Sequence, residues 1–375
     1  MFKKTLYFLT IVALFSIGNL SAQHHESKKD KTEHAESKDS HATDGHGSES
    51  LSLKEQIKAD INHHLLDSHS FHVSEWPFHI NIPLPVILWD NGLQMFSSSK
   101  FGDGHSAAEH NGNFYKIAHS NGHIYKVDGA HGEVVMNEKG FPSREFLPLD
   151  FSITKTVVMI FITGLLMLLL FSGLARSFTK NNGISSGPGR ILEPIILYIR
   201  DEIAIPNIGE KHYKKYMNYL LTIFFFIWFV NLFGLTPLGV NVTGNIAITF
   251  SLALLTYLIT TFTAKKDYWK HIFWMPGVPK PMRLVLAPIE LLGTVIKPFS
   301  LMIRLYANMK AGHVVLMSII GLMFLFKSWI GSPLSFGLAF ALMLLELLVA
   351  ALQAYIFTML SALYFGAASE EHDDH

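Results

Sequence analysis

From residue 151 onward, apolar positions come in runs too long for the core helix of a small soluble domain. Thr156 to Ala175 holds 20 residues without a charge, enough to cross about 30 Å of hydrocarbon at 1.5 Å per residue. Tyr216 to Leu235 and Gly244 to Ala264 predict a second and a third span. Arg283 to Phe326 and Gly331 to Gly366 are longer than a perpendicular span requires. They must tilt strongly, break, or lie partly in the membrane plane. Between the first two spans, "RILEPIILYIRDEI" puts Ile191, Ile195, Ile196 and Ile199 on one side, the pattern of a helix lying on a surface. Upstream the periodicity is different. "SLKEQIKADINHHLLDSH" places Leu53, Ile57, Ile61 and Leu65 at helical steps. "FHINIPLPVILWDNG" and "FYKIAHSNGHIYKVDG" read as strands, and Asn121-Gly122 in the second is a hairpin signal. The Gly, Asn and Ser residues between Ser97 and Asn113 predict a loop. The expected fold is an all-α polytopic membrane protein with about five membrane helices, the last two long and strongly tilted. A small N-terminal extramembrane α+β domain precedes them.

Residues 1–23, "MFKKTLYFLTIVALFSIGNLSAQ", have a lysine pair, an apolar stretch and small residues at Ser21 and Ala22, the layout of a signal peptide. Residues 24–50 carry five histidines and no large apolar side chain, so they are expected to be a disordered His-rich segment. Residues 51–150 then form the external domain, 151–366 the membrane domain and 367–375 an acidic tail. Charged residues are only 16% of the chain, against about 25% in soluble domains, which supports the membrane reading. Lys+Arg and Asp+Glu both number 30, so charge gives no reason to expect a nucleic-acid partner. There is no cysteine, which removes disulfides and thiolate chemistry. No HExxH-like spacing organises the histidines into a metal site, and no cofactor is implied. The basic segments 176–215 and 265–283 are expected on the cytoplasmic side. With the N-terminal domain periplasmic, five spans return the tail "SEEHDDH" to the cytoplasm of a bacterial inner-membrane protein.

Against this background the intramembrane polar residues stand out. A guanidinium at the bilayer centre costs about 2.5–3.5 kcal/mol on insertion scales, and it cannot escape by deprotonating. Arg304 nevertheless lies in the fourth apolar stretch with Glu290, Lys297, Asn308, Lys310 and His313, while the fifth carries Glu346, Gln353 and Tyr364. At 100° per residue, Arg304 and Asn308 share a face, His313 lies nearly opposite, and Glu346, Gln353 and Tyr364 form one stripe. Two readings follow. Either Arg304 pairs with Glu346 or Glu290 inside the bundle, or it faces a carboxylate on another subunit while His313 and Glu346 relay protons.

"KPFSLMIRLYANMKAGHVV", followed about 40 residues later by "LQAYIFTMLSALYF", resembles subunit a of the F-type rotary ATP synthase. "HHLLDSH" and "IPLPVIL" extend the likeness upstream. The resemblance implies a proton-conducting stator with two half-channels against a ring of c subunits, with Arg304 as the essential cation. It implies Asn308, His313, Glu346, Gln353 and Asn231 in the outer half-channel, and Glu290 and Ser300 in the cytoplasmic one. Its implied partners are the c-subunit ring, the b subunits of the peripheral stalk and the rest of the synthase. Gly234 stands where some members have an acidic residue, and Lys310 is an extra cation. No phosphate-cradling loop occurs, so the chain is expected to be non-catalytic by itself. The alternative class is a secondary ion or metal transporter with a His-rich external segment. No internal repeat supports it.

Overall fold

A computed structural model of the chain describes residues 67–74, 80–102, 106–118, 120–137, 141–180, 187, 189–236, 240–274, 278–325 and 331–369. The expected signal peptide, the His-rich segment, the helix expected over 52–69 as far as residue 66 and the tail from residue 370 lie outside the described residues, and Asp67 to His69 are not helical.

The N-terminal part is built of short antiparallel strands. β1 (Ser70–Ser74) pairs with β2 (Ile80–Pro83). β3 (Pro85–Trp89) pairs with β4 (Leu93–Ser97) on one side and β8 (Leu149–Asp150) on the other. A third sheet is made of β5 (Ala108–His110), β6 (Asn113–Ile117) and β7 (Ile124–Val127). Period-two alternation sends Val86, Leu88 and Phe96 into one core with Phe101, Ala108, Tyr115 and Ile124. Burial and a hydrogen bond to Asp90 push the Tyr115 hydroxyl up to about 12. The expected hairpin at Asn121-Gly122 is present, with Gly122 at positive φ.

The loop expected between Ser97 and Asn113 needs correction, because it contains β5. Asn111 and Gly112, both at positive φ, turn the chain so that Ala108 pairs with Tyr115 and is buried. A second Asn-Gly turn, in "EHNGNFY", carried that signal.

Among the described residues, five helices are long and apolar enough to cross a membrane. They are α1 (Lys155–Lys180), α3 (Tyr213–Gly234), α4 (Ile246–Thr263), α6 (Lys280–Leu325) and α7 (Gly331–Ser369). Between α1 and α3, α2 (Gly189–Tyr198) runs on through a π turn, Ile199–Ala204, and one α-helical turn, Ile205–Ile208. Its buried side is Leu192, Ile199 and Ile203, with Ile195 and Ile196 packed alongside, whereas Ile191 is exposed. The expected isoleucine face is therefore rotated away from Ile191. The basic stretch after α4 is not all loop either, since it holds α5 (Lys266–Phe273). α6 and α7 are unbroken over 46 and 39 residues, despite Pro288 and Pro298 inside α6. At 1.5 Å per residue these are about 69 and 58 Å long, roughly twice the hydrocarbon thickness.

Polar side chains in these helices are mostly satisfied by their own backbone. The hydroxyls of Thr163, Thr256, Thr260, Thr358 and Ser361 each donate to the carbonyl four residues back. At the C-terminal end of α7, Tyr216 stacks on Phe365 with centroids 4.5 Å apart and donates to Thr263 at 2.8 Å. Gly366 packs on the Asn207 carbonyl so closely that any side chain would overlap it. Phe71 and Leu84 of the strand region share a core with Met159 and Ile160 of α1, which joins the two parts of the chain.

Candidate functional site

α6 and α7 lie side by side, and the candidate side chains divide between the outer surface of α6 and the contact between the two helices. Leu301, Met302, Leu305 and His313 form the buried side of α6. Arg304 is half-buried, while Ala307, Asn308 and Ala311 beside it are exposed. The guanidinium thus sits on a strip of small residues, nearly opposite His313, as helical spacing predicts. Among the described residues Arg304 makes no ion pair or hydrogen bond, so pairing with Glu346 or Glu290 inside the chain is not found. Lys310, the extra cation, reaches one turn back and donates to the Tyr306 hydroxyl at 2.8 Å.

On α7 the stripe expected from spacing faces the protein: Glu346 and Gln353 are buried and Tyr364 half-buried. The Glu346 carboxylate lies against Gly312, the residue before His313. A β-carbon there would come within 2.6 Å of Oε1. Oε2 of the same carboxylate is buried with no hydrogen-bond partner among the described residues. The glycine is therefore what lets a carboxylate enter the helix contact beside a buried imidazole.

Asn231, buried on α3, accepts a hydrogen bond from the Thr243 hydroxyl at 2.5 Å. Asn241, in the same loop as Thr243, donates to the Met309 carbonyl at 3.2 Å and accepts from Gly244 N–H at 2.8 Å. The loop before α4 is thereby tied to α6 between Asn308 and His313. Sequence reasoning missed Thr243 and Asn241. The polar cluster "VNVTGN" between two apolar spans was the available signal.

The two remaining candidates lie toward the N-terminal end of α6, where Glu290 is half-buried and Ser300 exposed. Ten positions separate them, roughly 15 Å along the axis, so they do not form one cluster. Between them Thr294 and Lys297 line a small cleft with Thr256 and Thr260 of α4 and Tyr364 of α7. Lys297 Nζ stands 5.9 Å over the Tyr364 ring. Tyr268 of α5 closes the cleft; burial pushes its hydroxyl pKa up, and Tyr257 and Glu290 add to the shift.

The arrangement presents Arg304 on one side of α6, a buried carboxylate and imidazole on the other, and a hydroxyl-lined cleft nearer the N-terminal end of that helix. A family model described as ATP synthase A chain matches residues 157–366. A second, described as a domain of unknown function, matches residues 60–151. The chain is 42% identical over 246 residues to ATP synthase subunit a 2 of Chlorobaculum tepidum, covering 64% of this chain and 69% of that one. It is 44% identical over 237 residues to ATP synthase subunit a of Myxococcus xanthus, covering 60% and 77%. Against ATP synthase subunit a of Chloroherpeton thalassium it is 41% identical over 239 residues, covering 62% and 71%.

Proposed function

The chain belongs to the ATP synthase A chain family, and from that premise we propose how a multi-pass proton-channel subunit works with these residues. Arg304 faces a carboxylate carried by a separate rotor ring. Asn308, His313, Glu346, Gln353 and Asn231 line the half-channel open to the outside, and Glu290 and Ser300 belong to the cytoplasmic one. The subunit is non-catalytic by itself; it works within the ATP synthase, against the c-ring and held by the b subunits.

The observation that carries this reading is that Arg304 has no ion-pair partner among the described residues. A permanent cation in a low-dielectric setting lowers the pKa of a carboxylate brought beside it, and desolvation raises that pKa again once the carboxylate moves into lipid. The proton is released where the cation stands and is taken up from the other side. Arg304 also separates the two water paths, because a guanidinium cannot be neutralised there as a lysine can. The buried His313 and Glu346 supply titratable groups on the inner side of α6, and an imidazole changes charge near physiological pH. The drive is about 2.3 kcal/mol per charge per 100 mV, so many steps must be summed by rotation. The spans sit with the basic segments in the cytoplasm and the strand domain in the periplasm.

The test is Arg304→Ala in the assembled synthase, with ATP-driven acidification of inverted vesicles as readout. Pumping is expected to fall to background while ATP hydrolysis and subunit content persist; near-normal pumping contradicts the reading.

A further inference from the structure

Among the described residues, one face of the sheet β4-β3-β8 carries no protein cover. Residues paired across the strands share a face, so Trp89, Leu93 and Leu149 form one row and Ile87 with Met95 the next. The pairing continues past β8. Phe151 N–H donates to the Ile87 carbonyl and Ile153 N–H to that of Pro85, which puts Phe151 beside Ile87. Trp89, Leu93, Met95, Leu149 and Phe151 are each between 41% and 56% exposed, and no charge interrupts them. Their strand neighbours Val86, Leu88, Gln94 and Phe96 point the other way and are buried. An apolar sheet face of this kind on an external domain marks a contact.

The occupant follows from where the strand goes. The segment that carries Leu149 and Phe151 enters α1 at Lys155. Twenty uncharged residues separate Lys155 from Arg176, about 30 Å of helix, so Lys155 marks the edge of the hydrocarbon. Phe151 and Ile153 therefore stand at headgroup level, and the helix that follows them exposes Phe161, Leu165 and Leu169. Phe71 and Leu84, in the same buried cluster as Met159 and Ile160, hold the strand domain to that end of the helix. A tryptophan at the rim of an uncharged apolar surface suits the membrane interface, which favours amphipathic aromatic rings.

We infer that the outer face of this sheet lies on the outer leaflet of the bilayer, making the external domain a second membrane contact beside the spans. This rests on α1 crossing the membrane with the strand domain outside, as proposed above, and not on the proton path. The chain has no cysteine, so each introduced cysteine is its single labelling site, and wild-type synthase treated in parallel gives the background from the other subunits. The full synthase, purified and placed in lipid vesicles, carries Leu93→Cys, Met95→Cys or Leu149→Cys with a nitroxide label. Lys116→Cys, on a strand of another sheet, serves as control. Collision with oxygen is expected to exceed collision with a water-soluble nickel chelate several-fold at the three sheet positions and not at the control. Two results overturn the inference: chelate access equal to the control, which leaves the face in water, or protection from both reagents, which puts a protein partner there. Subunit content and ATP hydrolysis at wild-type levels show that each labelled variant is folded.

Discussion

Gly312 has no room for a side chain, because the Glu346 carboxylate occupies the space where a β-carbon would stand. Gly312→Ala is expected to displace that carboxylate and cut passive proton conduction through stripped vesicles at least tenfold. Gly312→Ala with Glu346→Asp, one methylene shorter, should recover part of it. If the single variant conducts normally, the carboxylate position is irrelevant to the path. A companion expectation concerns the pair itself. Exchanging His313 and Glu346 together should be tolerated better than either single change, and a double variant worse than both singles refutes a functional couple. At this scale the sequence was informative where one helix decides the geometry: spacing alone put Arg304 and His313 on opposite sides of α6. It was silent on Asn241 and Thr243, whose contacts with Met309 and Asn231 need two other elements brought together. Thr243→Val leaves the buried Asn231 carbonyl without its donor, which costs about 1–3 kcal/mol. The thermal midpoint of the purified chain should fall accordingly, and an unchanged midpoint removes any structural role for that bond.

Between elements, the joint of strand domain and α1 depends on a buried pair. His69 Nε2 lies 3.3 Å from Asp150 Oδ2, and Asp150 Oδ1 accepts from Ser152 N–H at 2.8 Å. Asp67 Oδ1 accepts from Thr156 N–H in the first turn of α1. Burial alone raises the Asp150 carboxyl pKa; the His69 and Ser152 hydrogen bonds and the His69 charge outweigh it and hold the pKa below its ordinary value. A carboxyl held low in the folded state contributes stability that is present above about pH 4, its unfolded value, and is lost as pH falls through the lower folded value. Asp150→Asn should therefore lower the midpoint near neutral pH and flatten its fall on acidification. An acid limb as steep as the wild type's contradicts that role. Apolar run length was enough to find the spans, to within a few residues at most ends. Strand β5 and helix α5 were harder, since a three-residue strand and an eight-residue helix carry too little periodicity to stand out from loops.

Across the whole molecule, two long helices, three shorter spans and a strand domain accompany a charge that has no ion-pair partner among the described residues. The small residues flanking Arg304 matter as much as the arginine, because Ala307 and Ala311 allow another helix to come close. What lies against that strip is a property of the assembly, so no single-chain pattern could supply it. The most direct measurement is a cross-link from the strip itself. Ala307→Cys, carrying a photoactivatable maleimide in the assembled synthase, should join this chain to the small ring subunit as the dominant product. A label that reacts only with lipid or with its own chain would show that Arg304 faces no rotor.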